Sequence, residues 1–235
     1  MNRRTMLASL IAAVGMKGEA QDPAGGSESL YIPKPQLVSD RQFLHDFMDE
    51  FSFVDLVTAG PEIRITHIPV ILDRSAGKYG TIYGHVSRQN PQGKTFAANQ
   101  SAVIVFRGPQ AYISPTWYSQ PGLVPTWDFA VVHASGKLKA LSDAALDDEL
   151  AKLIRKFESR ESSYDFAKID PKEKARLMSG IVGFSMEVDL LEGKFKLSQE
   201  RSQADKDGIL SKLASVKQSR SMREFMTNFY ARAKG

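Results

Sequence analysis

The sequence predicts a mainly β fold with peripheral helices, in which antiparallel strands form a closed or partly closed barrel. Many short, β-branched apolar runs follow one another, and turn residues such as Gly60 and Gly77 separate them. Only a few helical segments interrupt these runs, whereas a doubly wound parallel sheet would alternate strands with helices. The chain has 235 residues, 42% of them hydrophobic, which is enough to bury the core of such a barrel.

The first predicted element is a helix over residues 40–51. Phe43, Phe47 and Phe51 recur at helical spacing and would form one buried face. Ser39 and Gln42 have the spacing of a capping box, in which each side chain pairs with a free N–H group of the first turn. The helix is therefore expected to begin directly after Ser39.

The other elements follow from two periodicities, two residues for strands and 3.6 residues for helices. Strands are predicted at 53–58, 63–72, 80–86, 101–108, 127–140 and 183–193. Helices are predicted at 143–159, 203–216 and 221–233. These elements divide the folded part of the chain into a barrel domain over 31–200 and C-terminal helices over 201–235.

The N-terminal residues have the composition of an export signal. Arg3 and Arg4 precede an apolar run over 6–16 that is too short to span a bilayer. This layout is typical of twin-arginine export, so we expect residues 1–20 to be a leader and 21–30 a flexible linker. The alternative is a frayed or membrane-tethered helix. A functional leader would place the protein in the periplasm, and otherwise it would be cytoplasmic, without a stable transmembrane span.

Composition excludes several classes of site. The sequence has no cysteine, which excludes disulfides, thiolate metal sites and a cysteine nucleophile. The formal net charge is only +4, and the basic residues are scattered among 27 acids, so there is no signature of direct nucleic-acid binding. No nucleophile–base pair and no pair of catalytic acids stands out. We therefore predict neither catalytic residues nor metal ligands.

The stretch GHVSRQNP, residues 84–91, ends a predicted strand with several polar side chains. Asn90 stands where a helix cap is favoured and Pro91 suits the first helical position, so a helix is expected to begin here. A helix start offers free N–H groups to an anion, and Arg88 and His85 could add further donors. The pattern therefore suggests an anion socket. The alternative is a solvated turn in which Arg88 is exposed and His85 is merely packed.

Two further stretches have related chemistry. Residues 192–202, EGKFKLSQERS, carry Lys196, Gln199 and Arg201 directly before an expected helix start. Residues 106–129 hold two tryptophans and two tyrosines among prolines and glycines, and such aromatic side chains can wall a flat ligand. The alternatives are a solvent-facing basic strand end for the first stretch and core packing for the second.

Taken in order, six stretches resemble the successive signatures of the PaiB-type FMN-binding negative transcriptional regulator family: THIPVILD, GHVSRQNPQ, FRGPQAYISPTWY, VPTWDFAVVHASG, IVGFSMEV and KLSQERS. The opening YIPKP resembles the start of that family, and the resemblance covers roughly residues 31–212. It implies an antiparallel split β-barrel of the FMN-binding, pyridoxamine-oxidase-like type. It also implies a homodimer that holds FMN noncovalently near the subunit interface, where the FMN phosphate would be the anion that the socket requires.

The matched motifs imply a set of cofactor contacts. The residues placed about the flavin are Thr66, His67, His85, Arg88 and Asn90, with Lys196, Gln199 and Arg201 closing over it and Trp127 beside the ring. The division between phosphate and ring contacts is left open. For His67 the alternative is an inward-facing strand residue with a satisfied imidazole.

The sequence departs from the family pattern at four positions. Gly93 stands in place of the tryptophan of NPQW, and Gln110 in place of the histidine of GPH, so two ring groups are missing. Asp128 and Glu200 replace the asparagines that follow VPTW and KLSQ. Because a carboxylate repels a phosphate, these two residues are expected to weaken FMN binding or to indicate a different occupant.

Two classes of function follow from these observations. The family resemblance implies a non-enzymatic FMN-binding regulator. The alternative is an exported flavin oxidoreductase, in which FMN passes electrons to a small acceptor while the protein positions the ring. An export leader favours this alternative, since an exported protein cannot repress transcription at promoter DNA. A binding module that has lost flavin is a third outcome, which the absence of visible flavin absorbance would reveal.

Overall fold

The computed structural model describes residues 30–60, 62–159, 161–216 and 220–232, so the predicted leader and most of the linker lie outside the described residues. Eight antiparallel strands form one sheet in the order β3-β2-β6-β7-β8-β5-β4, with β1 paired to β8. The strands are β1 (Leu37–Val38), β2 (Phe53–Thr58), β3 (Arg64–Pro69), β4 (Ile71–Asp73), β5 (Thr81–Ser87), β6 (Ser101–Ile113), β7 (Thr126–Ala140) and β8 (Ile181–Lys196). The fold is therefore mainly β and antiparallel, as predicted.

The sheet curves into a barrel because its two edge strands are neighbours in the chain. β3 and β4 lie at opposite ends of the strand order, yet Val70 alone separates them. One residue advances the chain by less than the distance between two strands, so the two edges must meet at this point. The prediction of one strand over 63–72 was therefore wrong, because the chain passes from one edge of the sheet to the other at Val70.

Alternating residues of the long strands build the core. Leu56, Ile104, Phe106, Val132 and Phe184 face inward and are fully buried. Side chains on the opposite face of the same sheet are far more exposed. We call this opposite side of β3, β2, β6, β7 and β8 the outer face.

Five α-helices pack around the barrel: α1 (Arg41–Glu50), α2 (Asp143–Phe157), α3 (Pro171–Ser179), α4 (Gln203–Ser215) and α5 (Arg220–Arg232). The Phe47 ring of α1 lies 5.8 Å from the Phe225 ring of α5 and 5.0 Å from the Phe195 ring of β8. Met222 and Met226 of α5 are fully buried in the same core. The C-terminal helices therefore pack on the barrel itself.

Two helix starts differ from the predictions. Asp40, not Ser39, caps α1, because its carboxylate accepts a hydrogen bond from Phe43 N at 3.1 Å. The segment after Asn90 begins at Pro91 as expected, but it is a 3₁₀-helix over Pro91–Ala98.

Helix α3 was not predicted, and it buries no side chain completely. Its start was nevertheless visible in the sequence, where Asp170 caps the helix and Pro171 occupies the first position. Within the described ranges, no helix is both long and apolar enough to cross a membrane.

Candidate functional site

The nine predicted cofactor contacts do not lie together in a single chain. Three lie at the edge formed by β3, and we call Thr66, His67 and Asn90 the β3 group. Three lie where β7 begins and β8 ends, and we call Trp127, Lys196 and Arg201 the β8 group. The remaining three, His85, Arg88 and Gln199, contact other parts of the same chain.

Thr66 and Asn90 of the β3 group are held by a closed hydrogen-bond network. Asn90 Nδ2 donates to Thr66 Oγ1 at 2.9 Å, and Thr66 Oγ1 donates to Gln92 Oε1 at 2.5 Å. Asn90 Oδ1 accepts from Gln92 N at 3.0 Å and so caps the 3₁₀-helix. The sequence prediction of Asn90 as a cap is confirmed, and the structure brings Thr66 and Asn90 into direct contact.

Gln92 organises this network and was missed by sequence reasoning. It is fully buried, and its Nε2 donates to Leu56 O at 3.1 Å and to Thr58 Oγ1 at 3.0 Å. The side chain therefore ties the 3₁₀-helix to the sheet. A glutamine after Asn-Pro gives no sequence signal of burial, because glutamine is exposed in most proteins.

His67 lies on the outer face beside two charged residues. Its Nδ1 is hydrogen-bonded to Asp55 Oδ1 at 2.6 Å, and the Arg107 guanidinium pairs with Asp55 Oδ2. The side chains of His67 and Arg107 are 64% and 69% exposed, whereas that of Asp55 is 12% exposed. His67 is thus not the inward-facing residue of the alternative interpretation, and Asp55 and Arg107 join it as residues that the sequence did not single out.

His85 lies away from both groups. It faces α2, in a small depression that Leu146, Glu149, Leu150 and Leu153 also line. Burial lowers the pKa of His85, which disfavours the charged imidazolium that an anion would require. This environment agrees with the alternative in which His85 is merely packed.

Arg88 and Gln199 use their polar atoms on the main chain. Arg88 Nε donates to Ser179 O at 2.5 Å and Nη2 donates to Ile181 O at 2.8 Å, joining β5 to the start of β8. Gln199 Nε2 donates to Phe195 O at 2.6 Å. Within the chain, His85 and Arg88 of the expected 84–91 socket therefore point to different places, His85 to α2 and Arg88 to the start of β8.

The β8 group borders an open cleft of about 390 Å³. Lys196 Nζ donates to Trp127 O at 2.9 Å and to the Thr126 hydroxyl. The Arg201 guanidinium lies over the Tyr118 ring, 4.8 Å from its centroid. The cleft is lined by Val124, Pro125, Thr126, Asp128, Lys196, Ser198, Glu200 and Arg201.

Two aromatic side chains stand on the outer face near this cleft. Trp127 is 54% exposed and Tyr112 is 45% exposed, and their rings meet edge to face with centroids 6.0 Å apart. Exposed aromatic faces of this kind suit a flat, apolar ring. Trp127 therefore has the environment that a ring neighbour needs.

Asp128 is fully buried at the floor of the cleft. Ser198 Oγ donates to Asp128 Oδ2 at 2.6 Å, while Asp128 Oδ1 has no hydrogen-bond partner among the described residues. Burial raises the pKa of Asp128 to about 6 against the opposing effects of Ser198, Lys196 and Arg201. The carboxyl group thus changes its charge near neutral pH.

The two groups are far apart within one chain. The strand register leads from Thr66 through Leu56, Ile104 and Ala134 to Leu191, which is four strand spacings or about 19 Å of sheet. Lys196 lies five residues further along β8. The register therefore sets the two groups of one chain on different parts of the sheet.

Comparison with known proteins gives this arrangement a context. Residues 30–190 match the model of the family described as "Putative FMN-binding domain". The chain belongs to this FMN-binding domain family. It is 36% identical over 187 residues to "Protease synthase and sporulation protein PAI 2" of Bacillus subtilis, covering 78% of this chain and 89% of that protein. The resemblance inferred from the motifs is confirmed, and FMN is the cofactor of the family.

Other proteins share less with this FMN-binding domain. "Uncharacterized protein AN0679" of Emericella nidulans is 29% identical over 188 residues, covering 64% of this chain and 75% of that protein. The solved FAD and heme binding protein of Mycobacterium smegmatis has a TM-score of 0.51 at 14% identity, covering 68% and 73% of the two chains. The flavocytochrome Anf3 of Azotobacter vinelandii has a TM-score of 0.50 at 13% identity, covering 68% and 69%. These likenesses confirm the split-barrel fold.

The residues of the two groups fit FMN in their chemistry. The β8 group supplies two cations for a phosphate and exposed aromatic surface for a ring, and the β3 group supplies a hydroxyl and an amide. Asp128 and Glu200 reduce the positive charge of the cleft. The donor set therefore suits FMN, with two carboxyl groups that act against it.

Proposed function

We propose that this protein binds FMN noncovalently between two copies of the chain. In this arrangement the β3 group of one copy and the β8 group of the other line the same site. The separation of the two groups by four strand spacings carries the proposal, since a second copy is the simplest source of the missing half.

The outer face has the composition of an interface between copies. Phe53 and Ile65, on the neighbouring strands β2 and β3, are 69% and 58% exposed. Tyr112 and Trp127 expose aromatic rings on the same face. Large apolar side chains exposed together mark an interaction surface. Because His67 of the β3 group and Trp127 of the β8 group stand on this face, a two-fold axis through it would set one group against the other.

FMN would supply the chemistry of the site, either as a redox group or as a bound signal, while the protein positions it. Within the chain, Thr66 and Asn90 would present a hydroxyl and an amide on a rigid support, because Gln92 fixes both. Lys196 and Arg201 would attract the phosphate, and Trp127 would cover the ring. We assign Lys196 and Arg201 to the phosphate because they are the positively charged side chains that line the cleft.

We further propose a regulatory rather than an enzymatic role. The name of the Bacillus subtilis relative, a sporulation protein, supports this role, as does the family resemblance of the motifs. The competing function is that of a flavin oxidoreductase. Steady oxidation of NADH or NADPH by the purified flavoprotein with an added acceptor would favour the competing function, and its absence with a range of acceptors would favour the regulator.

Export through residues 1–20 also stays a proposal. Fusion of residues 1–30 to a reporter that is active only outside the cytoplasm tests it directly. We expect activity with the native leader and none when Arg3 and Arg4 are both changed to lysine. Equal activity of the two fusions would contradict twin-arginine export.

Native mass spectrometry of the full chain, purified without added flavin, tests the flavin proposal. We expect two chains with up to two FMN molecules. Ile65→Glu places a charge on the outer face and should give monomers without flavin. Leu177→Glu is the matched control, since Leu177 is 49% exposed on α3, and it should leave a dimer with FMN. A monomer that retains FMN would contradict the shared site.

A further inference from the structure

The cleft beside the β8 group presents hydrogen-bond donors from several sides. Lys196 has three N–H donors and uses two of them on Thr126 and Trp127. Arg201 is held over the Tyr118 ring and also lines the cleft. The Thr126 hydroxyl accepts from Lys196 and retains its own proton. Such a convergence of donors suits a ligand that accepts hydrogen bonds.

Asp128 also lines this cleft, and it lacks a hydrogen-bond donor only while its carboxyl group is ionised. Its buried carboxyl receives one hydrogen bond, from Ser198 to Oδ2, and Oδ1 is without a partner in the described parts of the chain. An ionised carboxylate in this position is costly, because a buried charge needs pairing or several hydrogen bonds. In the neutral form, the proton on Oδ1 turns the orphan atom into a donor like its neighbours.

We propose that this cleft is an oxyanion-binding site in which neutral Asp128 donates a hydrogen bond to the ligand, alongside Lys196 and Arg201. The oxyanion is a phosphate, sulfate or carboxylate group. The inference does not require FMN to be the occupant and so goes beyond the flavin proposal. It assigns a role to Asp128, the residue at which this chain departs from the family pattern after VPTW.

Binding of the oxyanion then depends on the protonation of Asp128. The groups that face Asp128 are Lys196 of β8, Glu200 and Arg201 of the following turn, Tyr118, and Tyr230 of α5. Both tyrosines have a raised pKa and stay neutral near pH 7. Ionisation of Asp128 therefore adds a negative charge to the site and removes a donor from it.

Calorimetric titration of the full chain with sulfate tests the inference, because sulfate keeps its charge between pH 5 and pH 8. If sulfate binds only while Asp128 is neutral, the sulfate affinity should fall about tenfold per pH unit above pH 6, or about 100-fold at pH 8. Asp128→Asn retains the shape and a donor at every pH. This variant should bind sulfate equally at both pH values and more tightly than the native protein at pH 8.

Two control variants separate Asp128 from its surroundings. Glu200→Gln removes the other carboxyl group of the cleft and should leave the pH dependence in place. Ser198→Ala removes the hydrogen bond that lowers the pKa of Asp128, so the midpoint of the pH profile should move upward. Equal sulfate affinity of the native protein at pH 5 and pH 8, no sulfate binding at either pH, or an unchanged pH profile in Asp128→Asn would overturn the proposal.

The same titration with FMN-loaded protein identifies the occupant. Loss of sulfate binding after FMN is added would show that the flavin phosphate is the oxyanion. Retained sulfate binding would show that a separate ligand uses the cleft. A chain that binds sulfate in a pH-dependent way but never binds FMN would sustain this inference and contradict the flavin proposal, so the two can fail separately.

Discussion

The β3 group and the β8 group contain similar polar residues but satisfy them differently. Around β3, the amide of Gln92, the hydroxyl of Thr66 and the amide of Asn90 are hydrogen-bonded to one another and to the sheet. Around β8, a buried oxygen of Asp128 has no partner in the described residues, and the donors of Lys196 and Arg201 border an open cleft. The first region is fixed by its own hydrogen bonds and would offer a ligand a rigid support, whereas the second region has polar atoms that a ligand could still pair with.

This difference separates residues that hold the shape of a site from residues that supply free donors to a ligand. Buried polar groups are normally paired, so an unpaired one marks a position that another molecule can complete. Arg88 and Gln199 match the family motif as well as Arg201 does, yet their donors are already engaged by main-chain oxygens. Three experiments can break or sharpen this comparison.

The largest effect is expected in the β3 region. Gln92→Leu leaves Leu56 O, Thr58 Oγ1 and Thr66 Oγ1 without their buried partner, and each orphan group costs about 1–3 kcal/mol. We expect the free energy of unfolding to fall by about 4 kcal/mol in urea denaturation. Gln89→Leu, at the exposed position directly before Asn90, should change it by less than about 0.5 kcal/mol. Similar small losses in both variants would show that the network is not what holds this region.

The next effect is a gain of stability in the β8 region. Burial raises the pKa of Asp128 to about 6, so the native protein loses stability as the pH rises from about 4 through 6. Asp128→Asn cannot ionise and should be more stable than the native protein by about 2–3 kcal/mol at pH 8, but not at pH 4. Asp189→Asn, at an exposed position of β8, is the control and should show no such difference. Urea denaturation at pH 4 and at pH 8 measures these differences in stability. An equal effect of Asp128→Asn at both pH values would contradict a raised pKa of Asp128.

The smallest effect separates two arginines. Arg201→Ala removes a charge-assisted donor from the cleft and should weaken FMN binding about tenfold or more, with little change in stability. Arg88→Ala breaks two hydrogen bonds to the main chain and should cost about 1–2 kcal/mol of stability, while FMN affinity stays nearly constant. Flavin fluorescence titration and urea denaturation of both variants decide the matter. A loss of FMN affinity in Arg88→Ala, with no such loss in Arg201→Ala, would show that Arg88 belongs to the cofactor site.

Most of the fold was predictable from the sequence, because hydrophobic periodicity records which face of an element is buried. The strands 53–58 and 127–140 and the helix over 143–159 were placed within a few residues of their observed bounds. The break at Val70 was not predictable, since an edge-to-edge crossing leaves the apolar pattern uninterrupted. Helix α3 was missed because it buries no side chain completely.

The site was predictable only in part. Motif matching named Thr66 and Asn90, which do meet, and Lys196 and Arg201, which border one cleft. It could not show that Arg88 and His85 are used elsewhere, because hydrogen-bond partners depend on strands that are distant in sequence. The roles of Gln92, Asp55 and Arg107 became visible only once the register of the sheet was known.

Subunit complementation tests most directly the claim that two copies share each FMN site. Asn90→Ala damages the β3 group and Arg201→Ala the β8 group, so each variant alone should bind FMN weakly. When equal amounts are dissociated and reassembled together, about half of the dimers are mixed, and each mixed dimer has one intact site of two. We predict that about a quarter of all sites recover native FMN affinity. If each site lies within one chain, mixing restores no binding at all, and that result would contradict the account.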